Sequence, residues 1–288
     1  MMGIINTWQF NIICSLVGIV IFYQFYKLAV RNAKRDGAAT VLLQIIGGIS
    51  VLCLLPFLPI KFPSDIKVYL LLFLACIFYG LNDRLETTSR KHLEVSVFSI
   101  IGQFSTVFLI LVGLIIFKEP IVLNKILGAG LILFANIFLF YEKGSLKLNK
   151  YILIGVLSKL LFTVAVSVDI GISRQFNLPF YIMLTFLFPA IVIFFGERIK
   201  WREVVYEYKS SSKRNYIITG VAWGLLSFFY LRSFQFGKVT TIVPIQATSV
   251  LINVLVAYFF LKERDHGLKK IIASILVVIG IILTVGIF

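Results

Sequence analysis

Residues 80–119 read GLNDRLETTSRKHLEVSVFSIIGQFSTVFLILVGLIIFKE, and residues 224–263 read GLLSFFYLRSFQFGKVTTIVPIQATSVLINVLVAYFFLKE. The second stretch aligns with the first without a gap, at a spacing of 144 positions, and both end in Lys-Glu. From Gly80 to Gly144, roughly a fifth of the aligned positions are identical, about twice the chance level for this composition. The chain therefore contains two copies of one unit, predicted over residues 1–144 and 145–288.

The composition indicates that the solvent of this chain is a lipid bilayer. Of its 288 residues 59% are hydrophobic and only 14% are charged, whereas a soluble domain carries about 25% charged residues. Cys14, Cys53 and Cys76 all lie inside apolar runs, which predicts small buried side chains and no disulfide framework. The net charge of +15 comes from basic residues between the apolar runs, so we do not expect nucleic-acid binding.

Apolar runs divide the chain into ten predicted spans, because a helix needs about 20 mostly apolar residues to cross a bilayer. They cover residues 8–28, 38–60, 68–88, 95–117, 124–142, 151–172, 179–197, 216–236, 239–261 and 268–287. Each copy holds five spans, an odd number, so the two copies should lie upside down relative to each other. The predicted fold class is an all-α integral membrane protein with ten transmembrane helices in two inverted five-helix repeats.

The basic residues predict the orientation of the chain. One set of connections collects about three times as many lysines and arginines as the other, and by the positive-inside rule it is cytoplasmic. The poorer side holds only Lys61, Lys67, Lys118, Lys125, Arg174 and Lys238. Both termini are therefore expected outside, in a multi-pass protein of the plasma membrane or a cell inner membrane.

The longest cytoplasmic connection, residues 198–215, suggests a short helix. Trp201, Val204, Val205 and Tyr208 follow the spacing i, i+3, i+4, i+7 among basic residues. This pattern is typical of an interfacial helix lying against anionic head groups. A solvated loop with lysines reaching water remains the alternative.

The fourth and fifth spans of each half resemble a known repeat. The stretch Val239-Thr240-Thr241-Ile242-Val243-Pro244 opens a span that closes with Leu261-Lys262-Glu263, and a small-residue helix from Ala273 to Gly280 follows. This arrangement is similar to the EamA-type repeat of the drug/metabolite transporter superfamily. Lys118 and Lys262 stand where that family usually has glycine, and Ile100 stands where the second half has Pro244.

The resemblance covers essentially the whole chain and has functional implications. It implies a central cavity lined by the first, third and fourth helices of each half. It also implies transport of a small metabolite, often by export, with coupling to an ion gradient or to exchange. It says little about which substrate is carried.

Charged residues inside the spans are candidate substrate or coupling-ion sites, because an unpaired charge in a bilayer is costly. Lys159 lies about 12 Å along the sixth span from its cytoplasmic end. It is a candidate anion site, a titrating switch or a structural partner of a carboxylate. Asp83 and Glu86 on the third span could pair with Lys159 or bind a coupling proton. In the alternative, their end of the span emerges into water, and this applies more strongly to Glu86.

Two further charged sites have different predicted roles. Asp169 on the sixth span and Arg232 on the eighth have similar inferred depths near the outer side, which predicts a gate or an interhelical ion pair. Glu119 and Glu263 occupy the two inverted corners, where a structural role beside a helix start is expected.

Polar faces on the fourth and ninth spans complete the candidate site. Ser99, Gln103 and Thr106 belong to one stripe of the fourth span, and Pro244 and Thr248 to one stripe of the ninth. Asn253 belongs to a second stripe of the ninth span, together with Gln246 and Ser249. Broken or polar helices near the midplane are where such carriers bind substrate. Alternatively, the hydroxyls only return hydrogen bonds to their own backbone.

These observations favour a secondary active transporter, an exporter or exchanger, that alternates access around a midplane cavity. A flippase for a lipid-linked or nucleotide-linked substrate is the alternative, and Lys159 and Arg232 keep it open. An intramembrane enzyme is not expected, since His92 and His266 are far apart in loops. Expected partners are a small-molecule substrate, membrane lipids and a coupling proton or sodium ion, with no cofactor or metal, in a monomer or homodimer.

Overall fold

The structure is a computed structural model that describes residues 7–59, 61–115, 123–142, 145–146, 148–210, 212–237, 242 and 245–285. Within these ranges the chain is helical apart from turns and one short antiparallel pair, β1 (Tyr141–Glu142) with β2 (Ser145–Leu146). The α-helices are α1 (Trp8–Val30), α2 (Asp36–Leu52), α3 (Ile66–His92), α4 (Val95–Ile101), α5 (Phe104–Ile115), α6 (Leu123–Phe140), α7 (Lys150–Ile172), α8 (Leu178–Gly196), α9 (Trp201–Lys209), α10 (Lys213–Phe236), α11 (Ser249–Phe260) and α12 (Gly267–Val285).

In the described part of the chain, six helical segments are long and apolar enough to cross a membrane. They are Trp8–Val30, Asp36–Phe57, Ile66–His92, Lys150–Gln175, Leu178–Gly196 and Lys213–Phe236. Three shorter apolar segments are Val95–Leu109, Ile126–Leu139 and Ile245–Phe260. The protein is therefore a multi-pass helical membrane protein, as its composition predicted.

The fourth predicted span is interrupted. α4 ends at Ile101 and α5 begins at Phe104, so Gly102 and Gln103 form a break about a third of the way along residues 95–117. A Cβ on Gly102 would lie 3.1 Å from the Tyr23 hydroxyl and 3.2 Å from the Ser99 carbonyl oxygen. Glycine allows this close approach of the first helix and also weakens the helix locally.

Helices from the two halves pack in reciprocal pairs. α1 packs on α10 and α3 packs on α7, so the first helix of each half lies against the third helix of the other. α2 packs on α8, α6 on α12, and α4 on α11, which joins the second, fifth and fourth helices of the two halves to their counterparts. The same pattern results when the two halves are exchanged.

Contacts along α2 and α8 show that these counterparts run antiparallel. At the start of α2, a Cβ on Gly37 would meet the side chain of Glu197, which directly follows α8. Near the other end of α2, a Cβ on Gly47 would lie 2.8 Å from the ring of Phe186, in the first half of α8.

The helix faces that point away from the core are apolar. On α3, Leu70 and Phe73 are more than half exposed, whereas Ala75 and Cys76 on the same helix are fully buried. A water-soluble protein rarely exposes such a continuous apolar belt. These faces are suited to lipid.

A short helix does form in the connection after α8. α9 covers Trp201–Lys209, as the spacing predicted, and Trp201 is exposed. Val204 is instead buried in the protein, and Glu207 accepts hydrogen bonds from the Lys34 backbone N–H (2.9 Å) and the Tyr216 hydroxyl (3.0 Å). One side of α9 is therefore anchored to the bundle by side chains that a freely solvated loop would not hold.

Ion pairs tie the helix ends together on the side of α9. Arg35 pairs with Glu203 at 2.7 Å, Lys91 pairs with Asp36 at 2.8 Å, and Arg84 pairs with Glu197. The Lys200 backbone N–H and then the Arg35 guanidinium hold the pKa of Glu203 below its usual range. These contacts connect α2, α3, α8 and α9 at one end of the bundle.

The corner after α11 contacts the other half of the chain. The Glu263 carboxylate accepts hydrogen bonds from the backbone N–H groups of Val95 (2.8 Å) and Ser96 (3.0 Å). It therefore caps the N-terminus of α4, where the helix dipole favours a negative charge. The predicted structural role at a helix start holds for Glu263, but the helix belongs to the first half. Glu119 lies outside the described residues.

Lys262 adopts a left-handed backbone conformation, with a φ of 58°. Glycine reaches positive φ without the steric cost that a Cβ imposes. The corner thus keeps a glycine-like geometry with a lysine in place.

Candidate functional site

A cavity of about 180 Å³ lies between the two halves of the bundle. Its walls come from α1, α3, α5, α7, α10 and the residues around the start of α11, which are the spans that the resemblance implies. Thr185 and Phe186 of α8 contribute in addition. The polar and charged residues in the wall are Tyr23, Tyr79, Asn82, Asp83, Glu86, Arg90, Gln103, Ser105, Thr106, Lys159, Asp169, Thr185, Trp223, Ser227, Tyr230, Gln246 and Ser249.

Glu86 on α3 links two cations at the cavity wall. Its Oε1 accepts a hydrogen bond from Arg90 Nε at 2.7 Å, one turn further along the same helix. Its Oε2 accepts from Lys159 Nζ on α7. Glu86 is only 7% exposed and Lys159 only 5%. Lys159 is therefore the partner of a carboxylate, and the alternative in which Glu86 emerges into water is wrong because α7 covers this end of α3.

Asp83 lies one turn before Glu86 and is 4% exposed. Its Oδ2 accepts from the Gln44 amide at 2.8 Å, and its Oδ1 accepts from the Asn82 amide at 2.7 Å. Both donors are neutral amides, so each carboxylate oxygen has one hydrogen-bond donor, and no described cation forms an ion pair with Asp83. The two acids on α3 therefore differ in their partners: Glu86 contacts two cations, and Asp83 contacts two neutral amides.

Aromatic rings surround the guanidinium of Arg90. Its carbon Cζ lies 3.9 Å from the ring centre of Tyr23 and 4.2 Å from that of Phe98. Tyr26 and Phe22 are also within cation–π range, at 4.9 and 5.0 Å. A planar cation among ring faces gains electrostatic stabilisation even where water is excluded. The α1 helix therefore helps to hold a charge that belongs to α3.

Asp169 on α7 has a different environment from the predicted one. Its two carboxylate oxygens accept hydrogen bonds from the hydroxyls of Tyr79 and Tyr181, and it is 1% exposed. Arg232 lies at a second pocket, with its guanidinium near the rings of Phe228 and Phe236. Within the described part of the chain, Asp169 and Arg232 do not form the predicted ion pair, because similar depth along two helices did not bring their side chains to the same cavity.

The polar stripe of the fourth span reaches the cavity in part. Gln103 and Thr106 line it, and the Thr106 hydroxyl donates to Gln103 Oε1 at 3.4 Å. Ser99 is buried behind the break, and its carbonyl accepts from the Gln103 amide at 3.4 Å. The break at Gly102 and Gln103 turns only the later part of the stripe toward the cavity.

The ninth span reaches the cavity through Gln246 and Ser249 of its second polar stripe, and not through Thr248 or Asn253. Thr248 donates to the Ile245 carbonyl at 2.6 Å, the local role that was the alternative for its hydroxyl. The backbone carbonyl of Asn253 accepts a hydrogen bond from the side-chain amide of Gln24 on α1 at 3.2 Å. Neither residue is among the described cavity-lining residues, whereas Gln246 and Ser249 are. Pro244 lies outside the described residues.

Sequence reasoning did not identify Gln44 and Tyr181, which hold Asp83 and Asp169. Gln44 gave a usable signal, since an amide within the second apolar run needs a partner. Tyr181 gave none, because a tyrosine near the start of a span is also typical of a membrane interface. The pairing in both cases depends on which helices become neighbours.

Comparison with known proteins yields a likeness of fold only. No model of a protein family matches the chain, and no curated protein matches it. The fold is similar to that of a solved chain described as "Crystal structure of protein", with a TM-score of 0.64 and 13% sequence identity. The likeness covers 94% of this chain and 95% of that chain. At this identity it carries no information about activity.

Proposed function

We propose that the protein is a secondary active transporter of a small metabolite, of the drug/metabolite transporter type. The observation that carries this proposal is the cluster of Lys159, Glu86 and Arg90 in the wall of a cavity within the membrane-spanning bundle. Charges at such a place are costly unless they are paired, and they are typical of substrate and ion pathways. A purely structural bundle has no need of a polar cavity.

The mechanism that we propose rests on two inverted five-helix halves. The reciprocal packing of the halves and the antiparallel run of α2 and α8 support it. Ten spans result if the three shorter apolar segments and α12 cross the membrane together with the six long ones. Rocking of one half against the other would then expose the cavity alternately to each side.

The cluster of Lys159, Glu86 and Arg90 is compatible with rocking of one half against the other. The contact between Lys159 and Glu86 joins α7 to α3, and so joins the two halves, whereas the contact between Arg90 and Glu86 lies within α3. If the halves separate, Glu86 keeps Arg90 as its partner. This avoids a buried carboxylate without a counter-charge, which would oppose the movement.

The flippase alternative has less support from these residues. It depended on Lys159 and Arg232 as cavity cations, but Lys159 pairs with Glu86 and Arg232 belongs to another pocket. We therefore propose a small metabolite as substrate, with export or exchange and a proton or sodium ion as the driving partner.

Transport by purified protein in liposomes tests this function. Vesicles loaded with unlabelled amino acids, nucleosides or organic acids are diluted into the labelled compound, with pH and sodium gradients imposed in turn. We expect exchange of at least one class above that of protein-free liposomes. Folded protein that exchanges none of them under any gradient, and that instead hydrolyses a membrane substrate, would refute the proposal.

A further inference from the structure

The charged residues in the wall of the central cavity do not balance. Of the described residues that line it, Asp83, Glu86 and Asp169 are acidic, and Arg90 and Lys159 are basic. Glu86 contacts both cations, and Asp83 lies one turn before Glu86 on α3. These four residues therefore form a group with two positive and two negative charges. Asp169 is the remaining acid, and no described cation forms an ion pair with it.

Cations on the elements around Asp169 make their contacts elsewhere. Lys159 lies ten positions earlier on α7, about 15 Å away along the helix. Arg174, in the turn after α7, donates to the backbone carbonyl of Phe234. The guanidinium of Arg232 on α10 lies near two phenylalanine rings of its own helix. A buried carboxylate in this position is costly as long as it stays charged.

The ionisable side chains that do surround Asp169 are neutral ones. Tyr79 on α3 donates a hydrogen bond to its Oδ2, and Tyr181 on α8 donates to its Oδ1. Cys76 on α3 is fully buried within electrostatic range, and Tyr230 on α10 lines the same cavity. The described residues of α5, which also packs on α7, include no ionisable side chain. Tyrosine and cysteine are ordinarily uncharged near pH 7, so these neighbours supply hydrogen bonds and no counter-charge.

Tyrosine hydroxyls suit a carboxyl group that gains and loses a proton. A hydroxyl can donate and accept a hydrogen bond, so the charged carboxylate of Asp169 accepts from both tyrosines. After protonation, the new O–H can donate to one tyrosine oxygen while the other tyrosine still donates. An amide N–H₂ group, as at Asp83, only donates and offers no such exchange. The surroundings of Asp169 therefore accommodate both protonation states.

We propose that Asp169 binds the proton that is coupled to transport, a proposal that rests on the transport function proposed above. Asp169 lines the cavity, so a proton from water on the open side reaches it and forms an O–H bond with one carboxylate oxygen. The charge is thereby neutralised, and the same proton is released when the cavity opens to the other side. Asp169 and Tyr181 belong to the second half and Tyr79 to the first, so movement of the halves changes the partners of this carboxyl group.

Infrared spectroscopy of the purified full-length protein detects this proton without any substrate. Spectra in detergent at a series of pH values show the carbonyl stretch of protonated carboxyl groups, and subtraction of the Asp169→Asn spectrum isolates one residue. A coupling site must load and release its proton between about pH 5 and 8. We expect a band that disappears as the pH rises through this range, that is lost in Asp169→Asn and that is kept in the matched variant Asp83→Asn. A carboxyl group of Asp169 that stays charged, or stays protonated, throughout the range would overturn the proposal.

A transport measurement tests the coupling itself. For any compound that the protein exchanges in liposomes, an imposed pH gradient should stimulate uptake by the wild type, and Asp169→Asn should lose this stimulation. Uptake that no pH gradient stimulates in the wild type, or stimulation that persists in Asp169→Asn, would overturn the coupling. If no compound is exchanged, the transport function fails, whereas the infrared result still decides whether Asp169 binds a proton.

A second variant serves if Asp169→Asn does not fold. Tyr79→Phe removes one hydroxyl from the carboxyl group of Asp169 and keeps the ring. We expect it to shift the frequency of the carbonyl band, because a carbonyl stretch responds to the loss of a hydrogen bond. An unshifted band would assign the proton to another residue and overturn the proposal.

Discussion

At the scale of single residues, the ion pairs of the cavity show how a membrane protein tolerates buried charge. Glu86 has two cationic partners, Arg90 on its own helix and Lys159 on α7. Loss of one cation therefore leaves the carboxylate paired. The side chain of Lys159 should therefore be dispensable for folding, although it lines the cavity.

We expect Lys159→Ala to reduce transport by about tenfold or more while the yield of folded protein stays near that of the wild type. The yield should be retained because Glu86 keeps Arg90 as its partner at 2.7 Å, so the substitution creates no unpaired acid. Initial rates of exchange in liposomes and size-exclusion profiles measure the two effects. Lys159→Arg, which keeps the cation, is the control, and near-normal transport by Lys159→Ala would reduce Lys159 to a structural role.

The backbone conformation of Lys262 also predicts the outcome of a substitution. It holds a φ of 58°, which costs a residue with a Cβ roughly 1 kcal/mol relative to glycine. We expect Lys262→Gly to stabilise the protein by about 0.5–1 kcal/mol, measured by thermal or denaturant unfolding in detergent. Arg264→Gly, at a neighbouring exposed position, is the control and should be neutral or destabilising. A destabilised Lys262→Gly variant would show that the lysine side chain has a stabilising role of its own.

At the scale of helices, the crossing of α2 and α10 depends on the absence of side chains. A Cβ on Gly224 would lie 2.6 Å from the Gly47 carbonyl oxygen, and one on Gly220 would lie 2.6 Å from Ile46 Cβ. Small residues allow helix backbones to approach closely in a bilayer. This crossing brings α10, which lines the cavity, against the second helix of the other half.

We expect Gly224→Ala to destabilise the protein by about 1–3 kcal/mol, because the added methyl group meets main-chain atoms that cannot move aside. Gly171→Ala is the matched control. It adds the same methyl group to the helix α7 with nothing within 4 Å. It should be neutral or stabilising by up to about 1 kcal/mol. Equal unfolding midpoints for the two variants would contradict the close packing of α2 and α10.

At the scale of the whole molecule, the two halves of the chain pack on each other in a symmetric pattern. Their helices pair reciprocally, and the counterparts α2 and α8 run in opposite directions. The distribution of basic residues then predicts which end of the bundle faces the cytoplasm. The ion pairs that join α2, α3, α8 and α9 lie at the end predicted to be cytoplasmic.

Cysteine labelling in intact cells tests this orientation. In a variant without the native Cys14, Cys53 and Cys76, we expect a membrane-impermeant maleimide to label Lys67→Cys and not Lys209→Cys. Both positions are exposed, Lys67 in the first turn of α3 and Lys209 at the end of α9. Labelling of both after permeabilisation is the control. The reverse pattern in intact cells would invert the predicted topology.

Much of the architecture could be predicted from the sequence, because in a bilayer each helix satisfies its own backbone hydrogen bonds and reveals itself by its apolar length. Apart from α9, the described helices fall within or close to the predicted spans, with the early end of α2 at Leu52 and the break at Gly102 as the main differences. Buried charges such as Lys159 and Asp83 were equally visible, since ionisable residues are rare in apolar runs.

The partners of those charges were decided only by the tertiary structure. Depth along a helix can be counted in residues, but the direction in which a side chain points, and which helix lies opposite, depend on the packing of all the helices together. For this reason Asp169 could be placed at the depth of Arg232 and yet meets Tyr79 and Tyr181. The sequence determined the apolar helices and the charges within them, whereas helix packing determined which charges meet.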